Sequence, residues 1–264
     1  MSMMGELKFF LRPQIKQTPN GIYIHQTKNV KELLEKLNMN NAKEMKTPIH
    51  PTTYLGLDKE STKVDGTQYR AMIESLLYLT VSKPDIMFNI SNWNPNLGLL
   101  FKRRENFRLL SFCDVDYVDD KVERNSTSGS YHFIGGNFIT WTCKKQVLTT
   151  LSTAEAEYMS ATSSYAQLLW IKNQLEDYNI YESKIPIYYD NTAGISLSQN
   201  PTLYSKARHV EIKHYFIRDH VRTGTMDLQF VPTDDQLADI FTTPLIDEWL
   251  ILLRNHLGMV SINE

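Results

Sequence analysis

Ser152-Thr153-Ala154-Glu155-Ala156-Glu157-Tyr158 opens the long helix whose place among strand-like runs decides the fold. Ser152 and Glu155 form a capping box: the hydroxyl accepts from the amide three residues on, and the glutamate reaches back to the cap amide. Helical periodicity then runs over residues 154–175. Upstream, residues 128–134 and 138–143 alternate as strands about Gly135-Gly136-Asn137, a hairpin turn signal. Residues 109–114 form an apolar strand ending at Asp114. Downstream, 185–190 is a strand ending at Asp190, 192–198 a short helix, and 207–223 a helix stopped by Gly224. A strand over 226–231 and helices over 234–241 and 248–257 complete the pattern. The order β-β-β-α-β-α-α-β-α predicts an α/β fold with a mixed five-stranded sheet flanked by helices.

Four acids stand out because each ends a strand or sits on a helix of that pattern: Asp114, Glu157, Asp190 and Asp239. Carboxylates brought together cannot all stay ionised without cations, and hard oxygen ligands select Mg²⁺ or Mn²⁺. The chemistry such a site suits is two-metal hydrolysis of a phosphodiester. Local alternatives stay open. Asp116, two residues beyond Asp114, faces the same side of the strand. Glu155 has the capping task, whereas Glu157 points about 200° around the helix and needs no local partner. Asp190 also suits an N-cap at 192, and Asp239 a solvated helix face.

Composition permits this chemistry without demanding it. The chain has 264 residues, 42% hydrophobic and 22% charged, with net charge −2. That excludes a strongly basic nucleic-acid scaffold and leaves only a local patch. Cys113 and Cys143, its two cysteines, supply no disulfide framework. No apolar run approaches the ~20 residues of a membrane span, and Met1-Ser2-Met3-Met4-Gly5-Glu6 lacks a leader core. An intracellular protein, cytoplasmic or nuclear and without a membrane partner, is expected.

Residues 1–106 read differently. An extended pair, 8–11 and 21–24, flanks Pro19-Asn20-Gly21, and amphipathic helices span 30–37 and 69–79. The Pro- and Thr-containing stretch 47–63 is irregular, and Asn92-Trp93-Asn94-Pro95-Asn96 marks a break.

The motifs of the second region resemble the ribonuclease H domain of copia-type retrotransposon Pol polyproteins. They are Cys113-Asp114-Val115-Asp116, Arg124-Asn125-Ser126-Thr127-Ser128-Gly129, Lys144-Lys145-Gln146, the Ser152–Tyr158 stretch, Tyr189-Asp190-Asn191, Arg208-His209-Val210-Glu211-Ile212, and Val231 through Phe241. Gln17-Thr18, Thr47-Pro48, Tyr69-Arg70 and Ser75-Leu76-Leu77-Tyr78-Leu79-Thr80 resemble the end of the preceding reverse transcriptase. The resemblance implies a reverse transcriptase remnant over 1–106 and a ribonuclease H-like domain over 107–264. It assigns Asp114, Glu157, Asp190 and Asp239 as catalytic metal ligands holding two Mg²⁺ ions, or Mn²⁺. The implied partner is an RNA–DNA hybrid, with Lys144, Lys145, Asn191, Lys206 and Arg208 as nucleic-acid contacts. The implied activity is endonucleolytic cleavage of the RNA strand, in a fragment lacking its upstream polymerase site and with a shortened connection between 88 and 107. The alternative is a degenerate remnant or binding module without catalysis, and Thr243, where the family usually carries lysine, is a departure on that side.

Two further patterns lead elsewhere and fail. Tyr117-Val118-Asp119-Asp120 spells a polymerase tetrad, yet it is followed by a polar run where that tetrad needs an apolar strand. His209, His214 and His220 are spaced by five and six residues, which does not place them on one helix face for zinc.

Overall fold

The computed structural model describes residues 5–39, 41, 65–83, 96–104, 106–117, 125–147, 150, 152–192, 195–196, 217, 219–243 and 245–261. They fall into two compact units: the first is Met1–Arg103 joined by Pro244–Glu264, the second Arg104–Thr243. Among the described residues no helix is long and apolar enough to cross a membrane.

The first unit carries a four-stranded antiparallel sheet. Its strands are β1 (Gln14–Thr18), β2 (Gly21–His25), β3 (Leu97–Lys102) and, from the far end of the chain, β9 (Met259–Ser261). The expected strand at 8–11 is instead an exposed stretch with one isolated bridge, Phe9 to Gln14. The tight turn between Thr18 and Gly21 sets the register, so the polar run Gln14–Thr18 pairs with β2. Helices α1 (Thr27–Lys36) and α2 (Gly66–Thr80) share an apolar cluster of Val30, Leu33, Leu76 and Leu79. Asp65 caps α2 by accepting from the Thr67 amide at 2.9 Å. Helix α4 (Asp247–His256) precedes β9. The C-terminal residues therefore group with the first unit, whereas the sequence pattern had them following residue 107 in the second region. The stretch 47–63 lies outside the described residues, as does all but Asn96 of the break at 92–96. Of the connection at 88–107, residues 88–95 and 105 lie outside them, and Leu97–Lys102 is the strand β3.

The second unit holds a five-stranded sheet ordered β6-β5-β4-β7-β8. Its elements are β4 (Leu109–Asp116), β5 (Thr127–Ile134), β6 (Asn137–Lys145), α3 (Thr153–Asp177), β7 (Ile185–Tyr189) and β8 (Met226–Phe230). β4 runs antiparallel to β5 and parallel to β7, and β8 runs parallel to β7. This is the mixed sheet of a ribonuclease H fold. Gly135 and Gly136, both at positive φ (59° and 76°), make the two-residue turn between Ile134 and Asn137. That is the turn whose twist matches the flanking strands.

Alternation along β4 divides its side chains between two faces. Leu109 and Cys113 join Tyr158, Ala161, Tyr165 and Leu168 of α3 in the core. Ser111 Oγ meets Ser164 Oγ of α3 at 2.9 Å, and Ser160 Oγ donates to the Asp114 carbonyl at 3.3 Å. The opposite face is aromatic: Phe112 stacks on Tyr131 at 5.0 Å, and Tyr131 meets Phe241 edge-on at 6.1 Å. The helix expected over 234–241 is two short 3₁₀ helices, Thr233–Asp235 and Leu237–Phe241. Gln236 between them is extended (ψ 97°), which breaks the helical path. Ile217 and the residues from Asp219 describe only the end of the 207–223 helix, and of 192–198 only Thr192, Ile195 and Ser196 are described.

Candidate active site

Asp114 lies near the end of the central strand, Glu157 in the second turn of α3, and Asp190 just past β7. One carboxylate oxygen from each falls within 4.8 Å of the other two. Local sequence explains the convergence. Ser152 caps α3, accepting from the Glu155 amide at 3.2 Å, which fixes where the helix begins and so which residue turns inward. Gln146 pins the same turn from β6's end: its Nε2 donates to the Ala156 carbonyl at 2.8 Å and to Ser128 Oγ at 2.7 Å.

Asp239, on the second 3₁₀ helix, is half-buried and is not in the three-oxygen group. Its charge still reaches the group, since it contributes to the upward shift of Glu157 while Asp114 and Asp190 raise Asp239 itself. Among the described residues Glu155 and Asp116 are not in the group either, so the two local ambiguities are separated by position. Asp119 and Asp120 lie outside the described residues.

Electrostatics are those of crowded, buried acids. Burial first, then the neighbouring carboxylates, push Glu157 up to about 9 and Asp239 up to about 8. Burial lifts Asp114 to about 6 against the Thr242 hydrogen bond, which favours its charged form. Glu157 is 3% exposed. Its Oε2 and Asp190 Oδ1 are buried with no hydrogen-bond partner among the described residues. Protein interiors rarely leave such oxygens unmatched. Three convergent oxygens, two acids with an orphaned oxygen, and an all-carboxylate donor set fit a hard divalent cation.

Sequence reasoning did not find the groups that hold these acids. Thr242, fully buried, donates its hydroxyl to Asp114 Oδ2. Gln236, also fully buried, donates to the Cys113 carbonyl at 3.0 Å, and Thr233 Oγ1 reaches Asp190 Oδ2 at 3.4 Å. The signal was present, because Gly129, Gln146, Thr233 and Gln236 all lie inside the recurring motifs. What was missing was the register that tells which of them face an acid. Of the expected nucleic-acid contacts, Lys144 and Lys145 are exposed at the end of β6, and Asn191 is half-buried beside Asp190. Lys206 and Arg208 lie outside the described residues.

No family model matches the chain. Individual relatives do. The chain is 31% identical over 265 residues to the retrovirus-related Pol polyprotein from transposon RE1 of Arabidopsis thaliana, covering 91% of this chain and 18% of that protein. The chain is homologous to the Pol polyproteins of copia-type transposons. The corresponding polyprotein from transposon RE2 of the same plant is 31% identical over 282 residues, covering 97% of this chain and 19% of that protein. The chain thus spans less than one fifth of the length of these Pol relatives. Its Arg104–Thr243 unit has the strand order and directions of a ribonuclease H-like fold. Among solved structures, LC11 RNase H1 in complex with an RNA/DNA hybrid aligns with TM-score 0.37 and 11% identity, over 51% of this chain and 94% of that one.

Proposed function

We propose that the Arg104–Thr243 unit is a divalent-metal-dependent endonuclease that cuts the RNA strand of an RNA–DNA hybrid. The observation that carries this reading is the group formed by Asp114, Glu157 and Asp190, with oxygens within 4.8 Å and with buried Glu157 Oε2 and Asp190 Oδ1 lacking a donor among the described residues. Those three acids would hold the cation, and Asp239 at the edge of the group would complete the negative field. Mg²⁺ or Mn²⁺ bound there in a pair supplies charge neutralisation at the phosphodiester and a more acidic water. The chain's own part is to fix and orient. Ser152 and Gln146 set the turn that carries Glu157, Thr242 fixes the Asp114 carboxyl, and Thr233 steadies Asp190. Lys144 and Lys145, exposed at the last ladder pairs of β6, are suited to phosphates of a bound strand.

The same reading takes residues 1–106 as the end of a reverse transcriptase region and the whole as a segment of a longer Pol polyprotein. A labelled RNA–DNA hybrid incubated with Mg²⁺ tests it, with single-stranded and duplex RNA as controls. Cleavage confined to the hybrid and abolished by chelation supports the proposal. Hybrid binding without cleavage favours the alternative, a binding module or degenerate remnant.

A further inference from the structure

We propose that Thr242 is a positioning residue for Asp114, seated by a notch at Gly129, so that these two residues determine how tightly the acid group takes its cation. The inference rests on the metal-site reading above and adds to it the notch that seats Thr242.

Thr242 is 128 residues from Asp114 in sequence. It is fully buried, and its hydroxyl donates to Asp114 Oδ2. The Val115 amide donates to the same carboxyl. Glu157 Oε2 and Asp190 Oδ1, by contrast, have no donor among the described residues. Asp114, with a hydroxyl and an amide donor, is thus held more firmly than Asp190, which has the 3.4 Å contact from Thr233. Groups behind a metal ligand commonly orient it in this way. Thr242 also bonds backward: its amide donates to the Asp239 carbonyl at 3.2 Å. One residue therefore links two acid-bearing segments.

The segment keeps its place through three further contacts. Gln236 Nε2 donates to the Cys113 carbonyl at 3.0 Å, and Gln236 Oε1 accepts from the Ala238 amide at 3.3 Å. Cys143 Sγ donates to the Phe241 carbonyl at 3.1 Å. Gly129 makes the close approach possible. It stands opposite Asp114 in the β4–β5 register. A Cβ there would meet Thr242 Cγ2 at 2.8 Å, Phe241 Cβ at 3.0 Å and the Ala238 carbonyl oxygen at 3.3 Å. Any larger residue at 129 must push the Thr242 methyl aside, and with it the hydroxyl that holds Asp114.

The test uses the full chain, with Mn²⁺ binding followed by calorimetry without substrate, Mg²⁺ dependence of hybrid cleavage, and melting of the metal-free protein. Thr242→Val keeps the shape and removes the donor; Thr242→Ser keeps the donor and removes Cγ2. We expect Thr242→Val to weaken Mn²⁺ binding and raise the Mg²⁺ requirement by about tenfold, and Thr242→Ser to stay within about threefold of the parent. Gly129→Ala should weaken Mn²⁺ binding like Thr242→Val, and Gly129→Ala combined with Thr242→Ser should recover much of the loss. Wild-type Mn²⁺ affinity in Thr242→Val, or equal loss in the valine and serine variants, overturns the positioning role. Failure of serine to rescue Gly129→Ala overturns the notch. If Thr242→Val does not fold, the Gly129→Ala variant with and without serine decides. A parent chain that binds no Mn²⁺ overturns the metal-site reading itself, and this inference with it.

Discussion

The two compact units are assembled from the chain in different ways. The Arg104–Thr243 unit is one continuous stretch whose central strand, β4, is paired on both edges and joined to α3 by a shared core. The other unit closes its sheet with residues from both ends, β3 pairing with β9, and its described apolar cluster joins only α1 to α2. The acids all stand in the continuous unit, three of them on or just past elements of the β4–β7–α3 layer. A strand hydrogen-bonded on both sides cannot slip by one residue without turning every side chain to the wrong face. That is the property a site built to ångström tolerance requires.

The sharpest way to break this comparison is to remove one acid. Glu157→Gln should lower hybrid cleavage more than ~100-fold, beyond the 10–100-fold typical of groups standing behind a ligand. Its metal-free melting temperature above pH 9 should hold or rise, because one like charge has left the group. Retained cleavage with Gln at 157 would remove Glu157 from the site.

A large effect confined to the other unit should follow Leu253→Ala. Leu253 is fully buried on α4, and such truncations cost about 2–5 kcal/mol. Urea unfolding should show an earlier transition, while the cleavage rate at room temperature stays near that of the parent. Proportional loss of both would mean the site depends on the C-terminal elements.

The pH dependence of the metal-free protein sharpens the contrast further. Asp114, Glu157 and Asp239 are raised to about 6, 9 and 8 from ordinary values of 3.8, 4.5 and 3.8. Raised acids contribute their full stability only below the unfolded values, and lose it as pH climbs through the folded ones. Melting in chelator should therefore fall between pH 5 and 9, on the order of 5 °C, and saturating Mg²⁺ should flatten the curve. A flat curve in chelator would mean the acids are not crowded.

The smallest effect belongs to Glu155→Gln. Glutamine also serves at the third position of a capping box, so stability should change by less than ~0.5 kcal/mol and cleavage should persist. Loss of cleavage here, equal to that of Glu157→Gln, would reverse the roles of the two glutamates.

The second unit was legible because its signals are local and strong. Ser152 and Glu155 mark a helix start, Gly135-Gly136 a two-residue hairpin, and the β4 run an internal strand. The failures share a cause: non-local structure without a local sign. β9 is three residues long and exists only because β3 pairs with it. β3 itself, Leu97–Lys102, is a short apolar run beside an Asn-Pro break, and nothing nearby says strand. The run at 8–11 looks more strand-like than Gln14–Thr18, yet Phe10 and Leu11 are exposed while the polar stretch forms the ladder. At 234–241 the spacing of Leu237, Ile240 and Phe241 imitates a helix, and the extended Gln236 between two 3₁₀ turns defeats it. The acids could be guessed from their places at element ends. Thr242 and Gly129 could not, since their meaning lies in a contact across more than a hundred residues.

The pairing of β9 with β3 also orders events during synthesis. Chains emerge at roughly 5–20 residues per second, and domains tend to fold as they appear. The Arg104–Thr243 unit has all its strands once Thr243 has been made. The unit that begins first must wait for Met259–Ser261 before its sheet can close. During synthesis the strand β3 therefore keeps one edge open until Met259–Ser261 has been made, after every strand of the Arg104–Thr243 unit.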